Sequence, residues 1–265
     1  MSIDFPVVIF GVGNMGAAIA RCLRKAHPSA VIWGVDADQT KIAALEAEGV
    51  LVAAKPDWRL EDGVVVLSVK PQILDSVAKG LQERLGKASM VLSILAGVPL
   101  TRLRAAFGAQ QVVRTMPNLA LTVGAGATAI ATDGLSEQVL VKIRSLLAPT
   151  GEVVEVLESQ MDAVTGLSGS GPAYVLKFLM SLEDGGVLAG LPRPVAHRLA
   201  MATVAGTVQL AQESGAEWDV LRGQVTSPGG TTIHGLKALE DKGFTASIMN
   251  AVWAATERSK ELGRS

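Results

Sequence analysis

Residues 7–16 read VVIFGVGNMG: β-branched and aromatic residues that break into three glycines and then into helix formers. Gly11, Gly13 and Gly16 follow the G-x-G-x-x-G spacing, directly after an expected strand and at the start of a helix expected from about Met15. In that setting the first glycine permits a tight turn, the second lets a ligand reach the backbone, and the third lets helix and strand pack closely. The group such a turn receives is a pyrophosphate, because a helix N-terminus presents unpaired N–H groups and the positive end of its dipole. Gly11, Gly13, Asn14, Met15 and Gly16 are therefore candidate dinucleotide-binding residues. The plain alternative is a chance trio in a chain with 28 glycines, and the strand–turn–helix context weighs against it.

The first half continues as a parallel α/β pattern. Strands are expected at Val7–Phe10, Val31–Val35, Val64–Val69, Met90–Ile94, Val112–Thr115, Ala127–Ala131 and Val153–Val156. Helices are expected around 15–26, 40–48, 72–85, 99–107 and 136–148, which makes a doubly wound sheet. After about residue 160 the β-branched runs stop, and alanine, leucine and methionine recur at helical spacing between GSGP, GLPRP, ESGAE and TSPGG. Pro172 and Pro194 mark helix starts there, and Gly190 and Gly215 mark stops. The run Leu199–Gln212 is almost free of charge, so its helix demands burial all round. A region of that size cannot enclose such a helix by itself, and a homo-oligomer with intertwined helices is expected.

Composition excludes several classes of function. A net charge of −1 with 18% charged residues leaves no footprint for nucleic acid or an anionic membrane surface. The N-terminal stretch MSIDFPVVIFGVG lacks the basic region of a signal peptide. The uncharged run from Thr115 to Thr132 is broken by Pro117, Asn118 and glycines, so it reads as loop and strand, with no membrane span expected. One cysteine, Cys22, cannot form an internal disulfide and fits a reducing, cytoplasmic setting. Three dispersed histidines and that cysteine offer no metal-ligand cluster, so no metal is expected.

Other candidates follow strands, where open α/β sheets bind ligands. Asp36 ends the second strand at the place of a carboxylate that binds an NAD ribose; it or Asp38 can equally cap the helix near Thr40. Lys55 can reach an adenosine-side phosphate, or stand as a solvated lysine. Val69, Lys70 and Pro71 end one strand and Met116, Pro117 and Asn118 another, both turns expected to face the dinucleotide. At 225–236 the chain reads VTSPGGTTIHGL, either a well-capped turn or a loop that holds a ligand by its backbone.

Taken together, GVGNMG at 11–16, VKPQ at 69–72, RTMPN at 114–118, DAVTGLSGSGPAY at 162–174 and VTSPGGTTIHGL at 225–236 resemble the Δ1-pyrroline-5-carboxylate reductase family across essentially the whole chain. The resemblance implies an N-terminal Rossmann-like doubly wound domain over 1–160, followed by an all-helical substrate-binding and dimerisation domain over 161–265. It also implies further assembly into rings, and reduction of a cyclic imine to L-proline by NADPH or NADH. In the family the second residue after the glycine pair orients the imine; that is Thr232 here.

A substrate carboxylate can then be held by backbone N–H groups at Ser227, Gly229, Gly230 and Thr231, with Ser168 and Ser170 on another wall. A protonated iminium is already an electrophile, so a weak hydroxyl donor suffices, and His234 ranks below Thr232 as a proton donor. The family's usual asparagine after Val52 is replaced by Lys55-Pro56, which together with Asp36 leaves NADPH against NADH open. β-Hydroxyacid dehydrogenases are the alternative enzyme class, but the residue three after the candidate Lys177 is Met180 where they carry asparagine. A dinucleotide-binding regulatory protein without turnover is the other alternative.

Overall fold

The computed structural model describes residues 3–53, 59–108 and 111–264. By packing they divide into two compact units, Met1–Ser170 with Trp253–Ser265, and Gly171–Val252. The first unit thus extends past residue 160 and takes back the C-terminal segment.

In the first unit β1 (Val7–Phe10) leads into α1 (Asn14–Ala26), β2 (Ile32–Val35), α2 (Gln39–Glu46), β3 (Leu51–Ala53) and β4 (Leu60–Leu67). A 3-10 turn at Pro71–Ile73 precedes α3 (Leu74–Gln82), β5 (Leu85–Ser93), α4 (Leu100–Phe107) and β6 (Gln111–Met116). A second such turn, Leu119–Val123, precedes β7 (Gly126–Ala131), α5 (Glu137–Leu147) and β8 (Gly151–Val156). The short α6 (Met161–Val164) then runs into a π-turn at Thr165–Gly169.

The strands form one sheet in the order β3-β2-β1-β4-β5-β6-β7-β8. The chain winds one way from β1 to β3 and the other way from β4, so the order reverses between β1 and β4, where such sheets take their ligands. All pairings are parallel except β6 with β7. That reversal departs from the expected all-parallel sheet. Segment 117–125 is too short to carry a crossover, so the chain turns back beside the strand it has left.

Side-chain alternation along the strands builds two cores. Val7, Ile9, Val64, Val66 and Leu92 face Ile19 and Leu23 of α1 and Ile143 and Leu147 of α5. Val8, Val65, Leu67 and Val91 face Leu74 and Leu81 of α3 and Leu103 and Phe107 of α4. Each fully buried side chain contributes about 1.5–3 kcal/mol relative to exposure. Two local expectations are corrected. Leu51–Ala53 is a strand beyond those expected, too short for periodicity to reveal, and the helix expected over 72–85 ends at Gln82 because β5 begins at Leu85.

The second unit contains α7 (Gly171–Leu188), α8 (Arg193–Ser214), α9 (Trp218–Gln224) and α10 (Thr231–Asp241), and α11 spans Phe244–Arg264. The ring of Phe178 meets that of Phe244 at 6.1 Å between centroids, and the Tyr174 hydroxyl donates to the Ala251 carbonyl at 3.3 Å. Arg193 bridges Glu183 and Asp184, and His197 joins Glu183 at 2.8 Å, tying α7 to α8. Among the described residues α8 buries Ala196 and Ala200 alone, and Leu176, Met180, Leu199, Met201, Val208 and Leu210 are exposed. Among the described residues no helix is long and apolar enough to cross a membrane.

Gly151 opens β8 with φ +130°, and a Cβ there would lie 2.1 Å from the Gly126 carbonyl oxygen. Gly151→Ala is therefore expected to destabilise the fold by about 2–4 kcal/mol, read as a lowered urea midpoint.

Candidate active site

The glycine loop is shaped by close approach. Gly11 has φ +95°, its N–H donates to the Val35 carbonyl at 2.7 Å, and a Cβ on it would stand 2.4 Å from the Ser68 carbonyl oxygen and 2.9 Å from Val69 Cγ1. A Cβ on Gly16 would lie 2.0 Å from the Gly11 carbonyl oxygen, so α1 can lie against β1 only if residue 16 is glycine. Gly13 differs, since a Cβ there would meet nothing within 4 Å. It needs no glycine for the chain's own packing, and it is the N-cap of α1 without a capping side chain. An open glycine at an uncapped helix start fits a pyrophosphate held by N–H groups. Asn14, in the first turn of that helix, is exposed, and Met15 packs partly on the core.

Asp36 sits at the end of β2 and turns inward. One carboxylate oxygen accepts the Val12 N–H at 2.9 Å and the other the Asp38 N–H at 3.0 Å. It thereby fastens the glycine loop to β2, and Asp38 is the residue that caps α2, accepting from Thr40 N–H at 3.0 Å and its hydroxyl at 2.7 Å. Those Thr40 bonds hold the Asp38 carboxyl below the usual range. Lys55 lies outside the described residues.

The next walls are the ends of β4 and β6. Ser68 N–H donates to the Phe10 carbonyl at 2.8 Å, which brings Val69 against Gly11, and exposed Lys70 caps the turn that begins at Pro71. At the end of β6, Met116 Cε stands 2.8 Å from where a Cβ on Gly169 would be, so this methionine seats on the π-turn. After Pro117, the Asn118 side-chain oxygen accepts from Ala120 N–H at 3.2 Å and Ala127 N–H at 3.1 Å. That oxygen is committed to the loop's own shape. Ser168 donates its hydroxyl to the Val164 carbonyl at 3.2 Å, and Ser170 N–H bonds to the Thr165 carbonyl at 2.9 Å.

The second unit holds the other candidate loop. Ser227-Pro228-Gly229-Gly230 is a turn closed by Gly230 N–H to the Ser227 carbonyl at 3.1 Å, with Gly229 at φ +67°. Proline then glycine at its centre is the type II signature. Gly230 is the N-cap of α10, again without a capping side chain, and a Cβ on it would lie 2.3 Å from Ser227 Oγ. The N–H groups of Thr231 and Thr232 fall in the unpaired first turn of that helix. His234 is engaged locally, its Nδ1–H donating to the Gly230 carbonyl at 2.9 Å.

The structure thus gathers Gly11–Gly16, Asp36, Val69–Pro71, Met116–Asn118, Ser168 and Ser170 in the first unit, and Ser227–Thr232 in the second. Sequence reasoning missed Ser68 and took Gly169 only as one of the small residues leading into Pro172; the parts of both depend on contacts between segments far apart in the chain. It also missed the π-turn, a feature frequent at functional sites.

A doubly wound sheet with this loop at its switch point defines a dinucleotide-dependent oxidoreductase of Rossmann type. The family model described as NADP oxidoreductase, coenzyme F420-dependent, matches residues 6–97, and the model for pyrroline-5-carboxylate reductase dimerisation matches residues 158–262. The pyrroline-5-carboxylate reductase of Synechocystis is 50% identical over 76% of this chain and 75% of its own length. A solved Coxiella burnetii pyrroline-5-carboxylate reductase superposes with TM-score 0.91 at 30% identity, covering 98% of this chain and 99% of its own. The Plasmodium falciparum pyrroline carboxylate reductase, solved with NADP bound, gives TM-score 0.82 at 29% identity over 97% and 99% of the two chains. The chain belongs to the pyrroline-5-carboxylate reductase family.

Gly13→Ala and Gly16→Ala separate binding from folding. Gly13→Ala is expected to leave stability within about 0.5 kcal/mol while weakening dinucleotide binding about tenfold or more, read by fluorescence titration. Gly16→Ala is expected to lower the melting temperature as well.

Proposed function

We propose that the chain reduces pyrroline-5-carboxylate to L-proline with NADPH or NADH as hydride donor. The observation that carries this reading is the glycine-capped N-terminus of α10, which offers N–H groups to an anion in a segment that contains no arginine or lysine before Lys237. The substrate is small, carries one carboxylate, and reacts at a ring imine. Gly11, Gly13, Asn14, Met15 and Gly16 would hold the dinucleotide's pyrophosphate, with Asp36 and Lys55 toward its adenosine end. Val69, Lys70, Pro71, Met116, Pro117 and Asn118 would line its nicotinamide side. When bound, the reduced dinucleotide supplies a hydride, which adds to the iminium carbon and leaves a secondary amine.

The chain's own residues bind and orient. Backbone N–H groups at Gly229 and Thr231, with the Ser227 hydroxyl, would take the carboxylate, Gly230 holding them in register through its own N–H to the Ser227 carbonyl, and Ser168 and Ser170 would form a second wall. The Thr232 hydroxyl would face the ring nitrogen and hold its proton during transfer. Alignment supplies most of the rate, and a strong acid is unnecessary. His234 is occupied by the Gly230 carbonyl and serves the helix start.

Residues 161–265 are assigned to substrate binding and self-association, as a dimer and then a larger ring. The exposed apolar residues of α7 and α8 support this. Cys22, the single thiol, is in line with a reducing cytoplasm.

The assay is nicotinamide absorbance loss with pyrroline-5-carboxylate, NADPH and NADH side by side. Thr232→Ala is expected to lower kcat about 10–100-fold with dinucleotide affinity unchanged, and His234→Ala to lower it less. No oxidation by folded, dinucleotide-binding wild type contradicts the reading. Analytical ultracentrifugation at micromolar concentration is expected to show at least a dimer; a monomer contradicts the role given to α7 and α8.

A further inference from the structure

A single carboxylate, just ahead of the 162–174 motif but outside it, ties the start of α4 to β6 on the ligand side of the sheet. Arg114 lies on β6, level with Ser93, the last residue of β5, and two residues before Met116. Its guanidinium is buried, and Nη1 donates to Glu158 Oε1 at 2.7 Å. The same Oε1 accepts the Leu100 N–H at 3.0 Å. Leu100 opens α4, whose N-cap, Pro99, has no side chain able to cap it. The other oxygen of Glu158 is buried and accepts no hydrogen bond among the described residues. Glu158 is itself held in place, because its N–H donates to Asp133 Oδ2 at 2.6 Å.

These bonds close a ring. The turn 94–99 leaves β5 beside Arg114 and ends at Leu100, so the carboxylate holds the far end of the turn to the strand that flanks its near end. Gly97 within it, at φ +72°, is a backbone that tolerates other shapes if released. The β6 end that carries Met116, Pro117 and Asn118 is fixed by the same contact. Both segments leave the C-terminal ends of parallel strands, the edge where a dinucleotide lies in such folds.

We propose that Glu158 is a positioning residue for hydride transfer: through Arg114 and the Leu100 N–H it sets turn 94–99 against the Met116–Asn118 segment. It acts without touching substrate or dinucleotide. The glycine loop is anchored separately by Asp36, so loss of Glu158 spares pyrophosphate binding and misplaces the reacting ring. An error of about 1 Å in such alignment costs about a hundredfold in rate.

This inference rests on the reductase reading, and its test has an arm that does not. Glu158→Ala, Glu158→Gln and the double variant Arg114→Met/Glu158→Leu are compared with wild type. The readouts are melting temperature, amide exchange of segment 94–104, dinucleotide dissociation constant and single-turnover hydride transfer. Glu158→Ala is expected to speed exchange of the segment and slow hydride transfer each about tenfold or more, with the dissociation constant within about threefold. Glu158→Gln keeps an acceptor for Leu100 and is expected to keep most of the protection. The double variant removes both charges, and is expected to regain melting temperature without regaining protection or rate. Wild-type exchange in folded Glu158→Ala overturns the proposal. So does a double variant that recovers stability and hydride transfer together. If wild type itself fails to oxidise either dinucleotide, the reductase reading falls, and the exchange arm alone decides the clamp.

Discussion

The first unit depends on how closely α1 can come to the end of β1. Cβ positions at Gly11 and Gly16 fall 2.4 Å and 2.0 Å from backbone oxygens, distances that no side chain tolerates. With glycine at both places, the helix starts within one turn of the strand's end and its N-terminus points into the crevice where the sheet order reverses. Asp36 then secures the turn from β2, and Ser68 from β4. The opening at Gly13 is what remains once the backbone has closed around it.

The same physics recurs at α10 with different parts. A helix leaves its first N–H groups unpaired, and a chain can satisfy them with a side chain, as Asp38 does for α2 and Ser136 for α5. Gly13 and Gly230 instead supply helix starts without a capping side chain. One suits a pyrophosphate and the other a carboxylate. Ser227 folding over Gly230 and His234 bonding its carbonyl stiffen the second of these.

What was legible in the sequence was legible because it is local. The 7–16 motif, the strand runs and the Ser-Pro-Gly-Gly turn each declare themselves within a dozen residues, and each takes the local backbone form expected of it. What was not legible depends on distant partners or on chain length between elements. The reversal of β7 follows from a short connection, and β3 is too brief for any period. Asp36 and Asn118 stand after strands, as their places in the sequence indicate, but the bonds by which their oxygens hold the chain's own N–H groups depend on the folded loops. Glu158 carries no local signal, since Arg114 and Leu100 meet it only after the sheet has formed.

The central claim is that the backbone at the start of α10, and no cationic side chain, holds the substrate carboxylate. The most direct measurement is amide NMR of selectively labelled protein, titrated with L-proline and then with prolinamide in the presence of oxidised dinucleotide. The account predicts downfield shifts at Gly229 and Thr231 with proline and their absence with prolinamide. Unmoved amides there, with shifts instead beside a lysine or arginine, would contradict it.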